Sequence, residues 1–186
     1  MDDYTNDFGI TKGMIEDITK GTCKHMRDFR RTFIDKNKVN LSNKLISELV
    51  GKVFEAQCAN IFTKKLGYEV KREMSDNDPD LFFIKIERPL EVKLTSTKTG
   101  WRGGEFSKRP FDYLLVSWGG DFDEYFICLV RLTKKDWHSN IARGYYAPDY
   151  KADKLYKRKD KVVFLGSFNK SDRGAIYLIR EKIKFG

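Results

Sequence analysis

Apolar positions in the first third of the chain recur at helical spacing. Between residues 42 and 66 they form a stripe along one helical face, with Ser42 suited to begin the helix and Gly67 suited to end it. A second stretch with the same spacing lies within residues 1–40. The pattern predicts a helical N-terminal segment followed by one long helix.

Shorter apolar runs after the long helix predict β-strands. The runs cover residues 68–72, 81–86, 90–95, 113–118, 125–132, 162–166 and 175–183. A short helix is expected near residues 133–137, and residues 147–161 are expected to form a loop. No linker rich in Pro, Gly or Ser divides the 186 residues, so one α/β domain is predicted. Its core would span residues 42–118, with C-terminal strands and loops over 119–186.

Two acids and a lysine interrupt the apolar runs after the long helix. Asp80 directly precedes one run, and Glu91 and Lys93 alternate with apolar residues in the next. Alternate side chains of a strand share a face, so Glu91 and Lys93 are expected to lie together. Buried acids are costly unless they bind a partner, and carboxylates are preferred ligands of divalent cations. The pattern predicts a divalent-metal site.

The two runs place Asp80 near Glu91 only in one hairpin register. The chain must turn near residues 85–86 for the two acids to meet. A tight turn at residues 87–88 would instead place Asp80 opposite Thr95. The sequence favours neither register.

The spacing of these acids resembles that of the PD-(D/E)XK nuclease superfamily, which includes most type II restriction endonucleases. The resemblance is carried by Pro79-Asp80, ten intervening residues and Glu91-Val92-Lys93. The order of predicted elements is similar to the αβββαβ core of that superfamily, which implies a mixed central sheet flanked by helices. The resemblance covers about residues 42–118, and it implies a Mg²⁺-dependent DNA endonuclease of the restriction type.

The resemblance also implies a role for each residue of the motif. Asp80, Glu91 and the backbone carbonyl of Val92 would hold Mg²⁺, for which Mn²⁺ is expected to substitute. Lys93 would orient or help to deprotonate the attacking water, or stabilise charge in the transition state.

A further carboxylate is implied on the long helix. Glu55 ends the run GKVFE, and the run LGYEV follows it. Together these runs resemble the first helix and strand of many of these nucleases. The acid on that helix often completes the metal site, directly or through water, so Glu55 is the candidate. Glu48, seven residues earlier on a similar face, is the alternative.

Basic residues after the catalytic strand point to double-stranded DNA as the partner. The chain has 36 Lys plus Arg against 27 Asp plus Glu, a net charge of +9, which favours phosphate polymers. Trp101 is expected to wedge or stack against DNA. The candidate phosphate contacts are Lys98, Arg102, Lys108 and Arg109.

The small size of the chain leaves several biological roles open. Its length and motif order look like the small subunit of a heterodimeric type IIS restriction endonuclease, which cuts one strand while a larger partner recognises DNA. Alternatives with the same site are a homodimeric type II restriction enzyme, which would read a palindrome, and a structure-specific repair nuclease. From another class, the chain would be a non-catalytic basic nucleic-acid-binding module.

The cysteines and histidines limit the kinds of site and the cellular compartment that we expect. The chain has three Cys, and Cys58 and Cys128 lie in apolar runs, which predicts buried thiols in a reducing, cytoplasmic compartment. The chain has two His, which argues against a zinc site or histidine acid–base chemistry. No apolar run reaches the length of a membrane span.

Overall fold

A computed structural model describes residues 4–72, 75, 78–96, 100–140, 147–157 and 161–170. The helices are α1 (Lys12–Phe29), α2 (Asn43–Leu66) and α3 (Ala152–Lys157). A π-helical turn (Arg30–Lys36) continues α1, and 3₁₀ turns cover Ile84–Ile86 and Glu105–Lys108. The strands are β1 (Val70–Arg72), β2 (Leu81–Phe83), β3 (Arg88–Thr95), β4 (Gly100–Arg102), β5 (Phe111–Gly119), β6 (Glu124–Leu132), β7 (His138–Asn140), β8 (Ala147–Lys151) and β9 (Val162–Phe168).

The long helix predicted from the sequence is confirmed at both ends. The Ser42 hydroxyl accepts a hydrogen bond from the backbone N–H of Leu45 at 3.3 Å, which is the geometry of an N-terminal cap. Gly67 has φ +73°, a left-handed conformation that glycine adopts without steric cost. Its backbone N–H donates to the carbonyl of Thr63, and this bond ends α2.

Six strands form a mixed sheet in the order β1-β2-β3-β5-β6-β9. The β3–β5 pair is parallel, and every other pair in the sheet is antiparallel. The strands predicted within the described residues are confirmed, with ends that differ by a few residues. The predicted strand at 175–183 lies outside the described residues. The α/β class with a mixed sheet is therefore confirmed.

Side-chain alternation along β5 divides the apolar core between the two faces of the sheet. Leu114 and Val116 pack in a core with α1 and α2. Tyr113 and Leu115 pack in a second core with β4, β8 and α3. A three-stranded sheet of order β4-β8-β7 contributes to this second face. The two long helices therefore cover only one face of the central sheet.

The connection between β3 and β5 differs from the αβββαβ prediction. In its described residues it contains β4 and a 3₁₀ turn, where that core has its second α-helix. β4 pairs with β8, which is distant in sequence, and this pairing holds the connection in an extended form. The finer resemblance to a restriction-endonuclease core therefore stays a prediction.

Two local predictions in the C-terminal half are wrong. The segment at 133–137 is a turn rather than a helix, because the Asp136 carboxylate accepts both the backbone N–H and the hydroxyl of Thr133. The segment at 147–161 contains β8 and α3 rather than a loop. Sheet pairing with β4 stabilises β8 although its local sequence is polar.

The predicted N-terminal extension is part of the principal core. Ile15 and Ile18 of α1 are fully buried there, together with Phe54 and Phe62 of α2. Cys58 is buried, as predicted, and it is a free thiol. Cys128 is likewise buried and free in the second core, as predicted. None of the described helices combines the length and the apolar character that crossing a membrane requires.

An ion network around the buried Asp112 carboxylate ties the N-terminal segment to the sheet. The Asp112 carboxylate accepts hydrogen bonds from Arg88 at 2.8 Å and from Arg131 at 3.2 Å. The Tyr4 hydroxyl donates to the same carboxylate at 3.0 Å. Arg88 also pairs with Asp7, so the network joins the starts of β3 and β5 to residues before α1.

Candidate active site

The hairpin of β2 and β3 brings Asp80 beside Glu91. Leu81 pairs with Leu90, so the next positions outward are Asp80 and Glu91. The chain turns through a 3₁₀ turn at Ile84–Ile86. The register is therefore the one with a turn near residues 85–86, which the sequence had left undecided.

Two hydrogen bonds fix Asp80 against β3. The backbone N–H of Val92 donates to the Asp80 carboxylate at 2.7 Å. The backbone N–H of Asp80 donates to the Glu91 carboxylate at 3.4 Å. Asp80 and Glu91 are both buried, so both acids are withdrawn from solvent at the edge of the β2–β3 hairpin.

Lys93 lies on the same face of β3 as Glu91, as the alternation predicted. Its ammonium forms an ion pair with the Glu91 carboxylate. The side chain of Lys93 is 22% exposed, whereas that of Glu91 is 6% exposed. Lys93 therefore reaches from the buried acid toward the surface.

Helix α2 contributes Glu55, a third buried acid, to the surroundings of Asp80 and Glu91. Glu55 is buried and forms an ion pair with Lys52 at 3.0 Å. Glu48 is 58% exposed in its side chain and pairs with Lys44 near the start of the helix. Of the two helix acids considered from the sequence, Glu55 is therefore the one that faces the site.

Burial and mutual repulsion perturb the acids of the site. Burial raises the pKa of Glu91 to about 7, with Lys93 opposing the rise and the charge of Asp80 adding to it. Burial also raises the pKa of Glu55, again with a contribution from the charge of Asp80. Asp80 thus acts electrostatically on both glutamates. The lysines only partly offset the cost of three buried acids.

We expect Glu91→Gln to change how stability depends on pH in the metal-free protein. The folded-state pKa of Glu91 lies above its ordinary value of 4.5, at about 7, so the folded protein holds the proton more tightly than the unfolded chain. The free energy of unfolding should therefore fall as pH rises between these values. The variant lacks this loss, and relative to the wild type it should gain about 1–3 kcal/mol between pH 5 and pH 8.

Urea unfolding at the two pH values, with EDTA present, measures this difference. Glu48→Gln, which changes an exposed acid of α2, is the matched control and should follow the wild type. A gap between Glu91→Gln and the wild type that stays constant from pH 5 to pH 8 would contradict the raised pKa.

The carboxylates of the site are of the type that binds a divalent cation, but they do not surround a metal position in this structure. Glu55, Asp80 and Glu91 offer buried carboxylate oxygens, which Mg²⁺ prefers. Within the part of the chain that the structure describes, no group of three or more His, Cys, Asp or Glu side chains is placed to hold a metal ion. Glu91 and Glu55 are held instead by Lys93 and Lys52. A bound cation would replace these lysines at the carboxylates.

The structure corrects one predicted DNA contact. Trp101 is 1% exposed and lies in the second core, where its indole N–H donates to the carbonyl of Val116 at 2.8 Å. It is therefore a core residue of β4 and is not available to wedge or stack against DNA.

Unlike Trp101, three of the other predicted DNA contacts lie at the surface. Arg102, Lys108 and Arg109 are exposed, and the guanidinium of Arg109 lies over the rings of Phe106 and Phe111. Lys98 lies outside the described residues. The connection that carries these residues passes beside the site, because a Cβ placed on Gly104 would lie 4.0 Å from the Lys93 ammonium.

Sequence reasoning missed two cations beside the site, Lys52 and Arg72. Lys52 pairs with Glu55, and the charge of Arg72 lowers the pKa of Glu55 against the larger effect of burial. The spacing of Lys52, three residues before Glu55, was a readable helical signal. Arg72 at the end of β1 had no such signal, since only the packing of β1 near α2 brings it there.

Comparison with known proteins assigns no family to the chain. It matches no model of a known protein family, and no curated protein matches its sequence. What the site does is therefore inferred from its own residues and geometry.

Proposed function

We propose that the protein is a Mg²⁺-dependent endonuclease that hydrolyses phosphodiester bonds in DNA. The observation that carries this proposal is the burial of Asp80 and Glu91 side by side on the β2–β3 hairpin, with Lys93 paired to Glu91. Glu55 is a third buried acid, close enough for its pKa to respond to the charge of Asp80. Such a group is costly in an apolar hairpin unless a cation compensates its charge. Acids with a lysine beside them match the needs of phosphodiester hydrolysis, in which negative charge develops on phosphate oxygens.

The acids and the lysine have different tasks in the proposed reaction. Asp80, Glu91 and Glu55 would hold the ion, and Mg²⁺ or Mn²⁺, when bound, supplies positive charge that activates water and neutralises the phosphate. Lys93 pairs with Glu91 in the metal-free protein, and a cation held by Glu91 would free its ammonium to face the phosphate. We propose that it orients the attacking water and stabilises the charge that develops on the phosphate. The Val92 carbonyl remains a predicted ligand.

Exposed cations around the site support DNA as the substrate. Lys52 and Arg72 lie on the side of α2 and β1. Arg102 and Lys108 belong to the connection that passes Lys93 at Gly104. A polyanion approaching the acids from either side would meet positive side chains, which offset repulsion from the buried carboxylates.

The biological setting is a finer part of the proposal. We propose a restriction-type enzyme whose chain cuts one strand while a larger partner recognises DNA. The homodimeric enzyme and the repair nuclease use the same site. A single nick in supercoiled plasmid favours the one-strand reading, whereas direct linearisation favours a dimer that cuts both strands.

We expect Lys93→Ala to lower metal-dependent nicking by about a hundredfold or more. The reason is the loss of the ammonium group proposed to orient the attacking water and to stabilise charge on the phosphate. Supercoiled plasmid at low salt is incubated with Mg²⁺ or Mn²⁺, and with EDTA as the metal-free reference. Circular dichroism checks that the variant is folded.

The control variant is Lys44→Ala, since Lys44 is an exposed lysine of α2 paired with Glu48. It should nick at the wild-type rate. Mn²⁺ binding by calorimetry gives a readout that needs no DNA partner. Nicking that survives in Lys93→Ala or in EDTA would contradict the proposal. So would a wild-type chain that neither nicks DNA nor binds Mn²⁺.

A further inference from the structure

Tyr113 of β5 lies directly across the parallel ladder from Glu91. Paired residues of neighbouring strands project to the same face of a sheet. Tyr113 is 0% exposed, and its ring packs against Phe111 and Trp137 in the second core. The ring therefore has an ordinary packing role next to the site.

Packing does not account for the hydroxyl of Tyr113. Its oxygen is buried and has no hydrogen-bond partner among the described residues. A buried hydroxyl without a partner costs free energy that phenylalanine would avoid in the same space. The indole N–H of Trp137, whose ring contacts that of Tyr113 at a centroid distance of 5.3 Å, is also without a partner in the described part of the chain. Two unused donors thus lie in the core beneath the site.

Charges of the site reach the Tyr113 hydroxyl. Burial and the negative charge of Glu91 raise the pKa of Tyr113, and the Arg109 guanidinium opposes this rise. The hydroxyl therefore stays protonated and able to donate. Because the side chain is fully buried, it cannot touch a phosphate group at the surface. The partner that would satisfy it is a buried water, which can accept a hydrogen bond from the hydroxyl.

We propose that Tyr113 is a positioning residue, whose hydroxyl donates a hydrogen bond to a water molecule held at Glu91 in the cleavage site. This inference rests on the proposed nuclease function. The hydroxyl and Lys93 would orient that water from two strands, β5 and β3. Trp137 supplies a second donor from the same core, which a buried water needs to fill its hydrogen-bonding capacity.

The test is Tyr113→Phe, which removes the hydroxyl and keeps the ring. We expect Tm to stay level or rise, because a buried group without a protein partner is lost. The rate of metal-dependent plasmid nicking at saturating DNA should fall by about tenfold. DNA affinity measured with Ca²⁺ in place of Mg²⁺ should stay within about twofold, since Tyr113 cannot reach DNA.

The control is Tyr125→Phe, because Tyr125 packs with the first core, on the other face of the sheet. It should leave the nicking rate unchanged. A Tyr113→Phe protein that nicks at the wild-type rate overturns the inference alone. A lower Tm with unchanged DNA affinity and rate shows that the hydroxyl serves only the fold, and it overturns the inference too. If the wild-type chain nicks DNA without metal, or neither nicks DNA nor binds Mn²⁺, the proposed function falls and the inference falls with it.

Discussion

Replacing Asp80 by asparagine is expected to lower metal-dependent nicking by about a thousandfold, which corresponds to about 4 kcal/mol in the barrier. Asp80 interacts electrostatically with both other acids, since its charge raises the pKa of both Glu55 and Glu91. A neutral side chain there removes one of the charged ligands of the proposed cation. The amide oxygen of asparagine still accepts the backbone N–H of Val92, which now donates to Asp80 at 2.7 Å, so the hairpin should keep its register.

The same substitution should affect stability in the opposite direction. Removing the charge of Asp80 relieves its repulsion with two buried glutamates. In EDTA at pH 8 the variant should therefore unfold at the same or a higher urea concentration than the wild type. If the variant loses nicking but keeps its stability, the loss comes from the reaction and not from damage to the fold.

Glu48→Gln provides the control for Asp80→Asn. It also replaces an acid by its amide, but at an exposed position of α2. We expect its nicking and its Mn²⁺ affinity to equal those of the wild type. If Asp80→Asn binds Mn²⁺ as tightly as the wild type, then Asp80 is not a ligand and the site must be assigned to other residues.

The second large effect is expected on stability, from Asp112→Ala. The Asp112 carboxylate is 4% exposed and pairs with both Arg88 and Arg131, and it also accepts from the Tyr4 hydroxyl. Removing it leaves two guanidinium groups and a hydroxyl without their shared partner. Arg88 keeps its ion pair with Asp7 and Arg131 is half exposed, so we expect a cost of about 2 kcal/mol, below that of breaking a fully buried pair. We therefore expect a lower urea midpoint with an unchanged denaturant slope.

Asp28→Ala is the matched control for this network. Asp28 also pairs with two cations, Lys24 and Arg31, but at an exposed face of α1. Solvent screens such pairs and satisfies the groups that are left behind. The urea midpoint of this variant should stay close to that of the wild type. Equal losses in the two variants would show that burial of Asp112 does not determine its contribution.

The parts of the site that lie close together in sequence were predictable. Glu91 and Lys93 share a face because a strand repeats every two residues, and the structure places them in an ion pair. Helix α2 was readable for the same reason, since its spacing, its cap at Ser42 and its end at Gly67 are local properties. Such signals depend on a few bonded neighbours and do not require the rest of the fold.

Predictions that depended on distant partners were less secure. Trp101 follows β3 in a segment that carries several basic residues, and on that ground it was predicted to contact DNA. Pairing of β4 with β8 buries it instead. The segment of β8 looked like a loop because its own residues are polar, and this same pairing makes it a strand. In both cases a contact between distant segments decided the structure.

By itself, the sequence determined the α/β class, the limits of α2, most of the apolar strands and the candidate residues Asp80, Glu91 and Lys93. Helical and strand periodicities and the end residues of a helix are local, so they can be read without a fold. Only the tertiary structure decided that the hairpin turns at Ile84–Ile86, so that Asp80 meets Glu91. It also decided that Glu55 rather than Glu48 is buried beside them, and that Tyr113 lies across from Glu91. These outcomes depend on how separate segments pack and on which charges they bury together, and neither is encoded in a short stretch of chain.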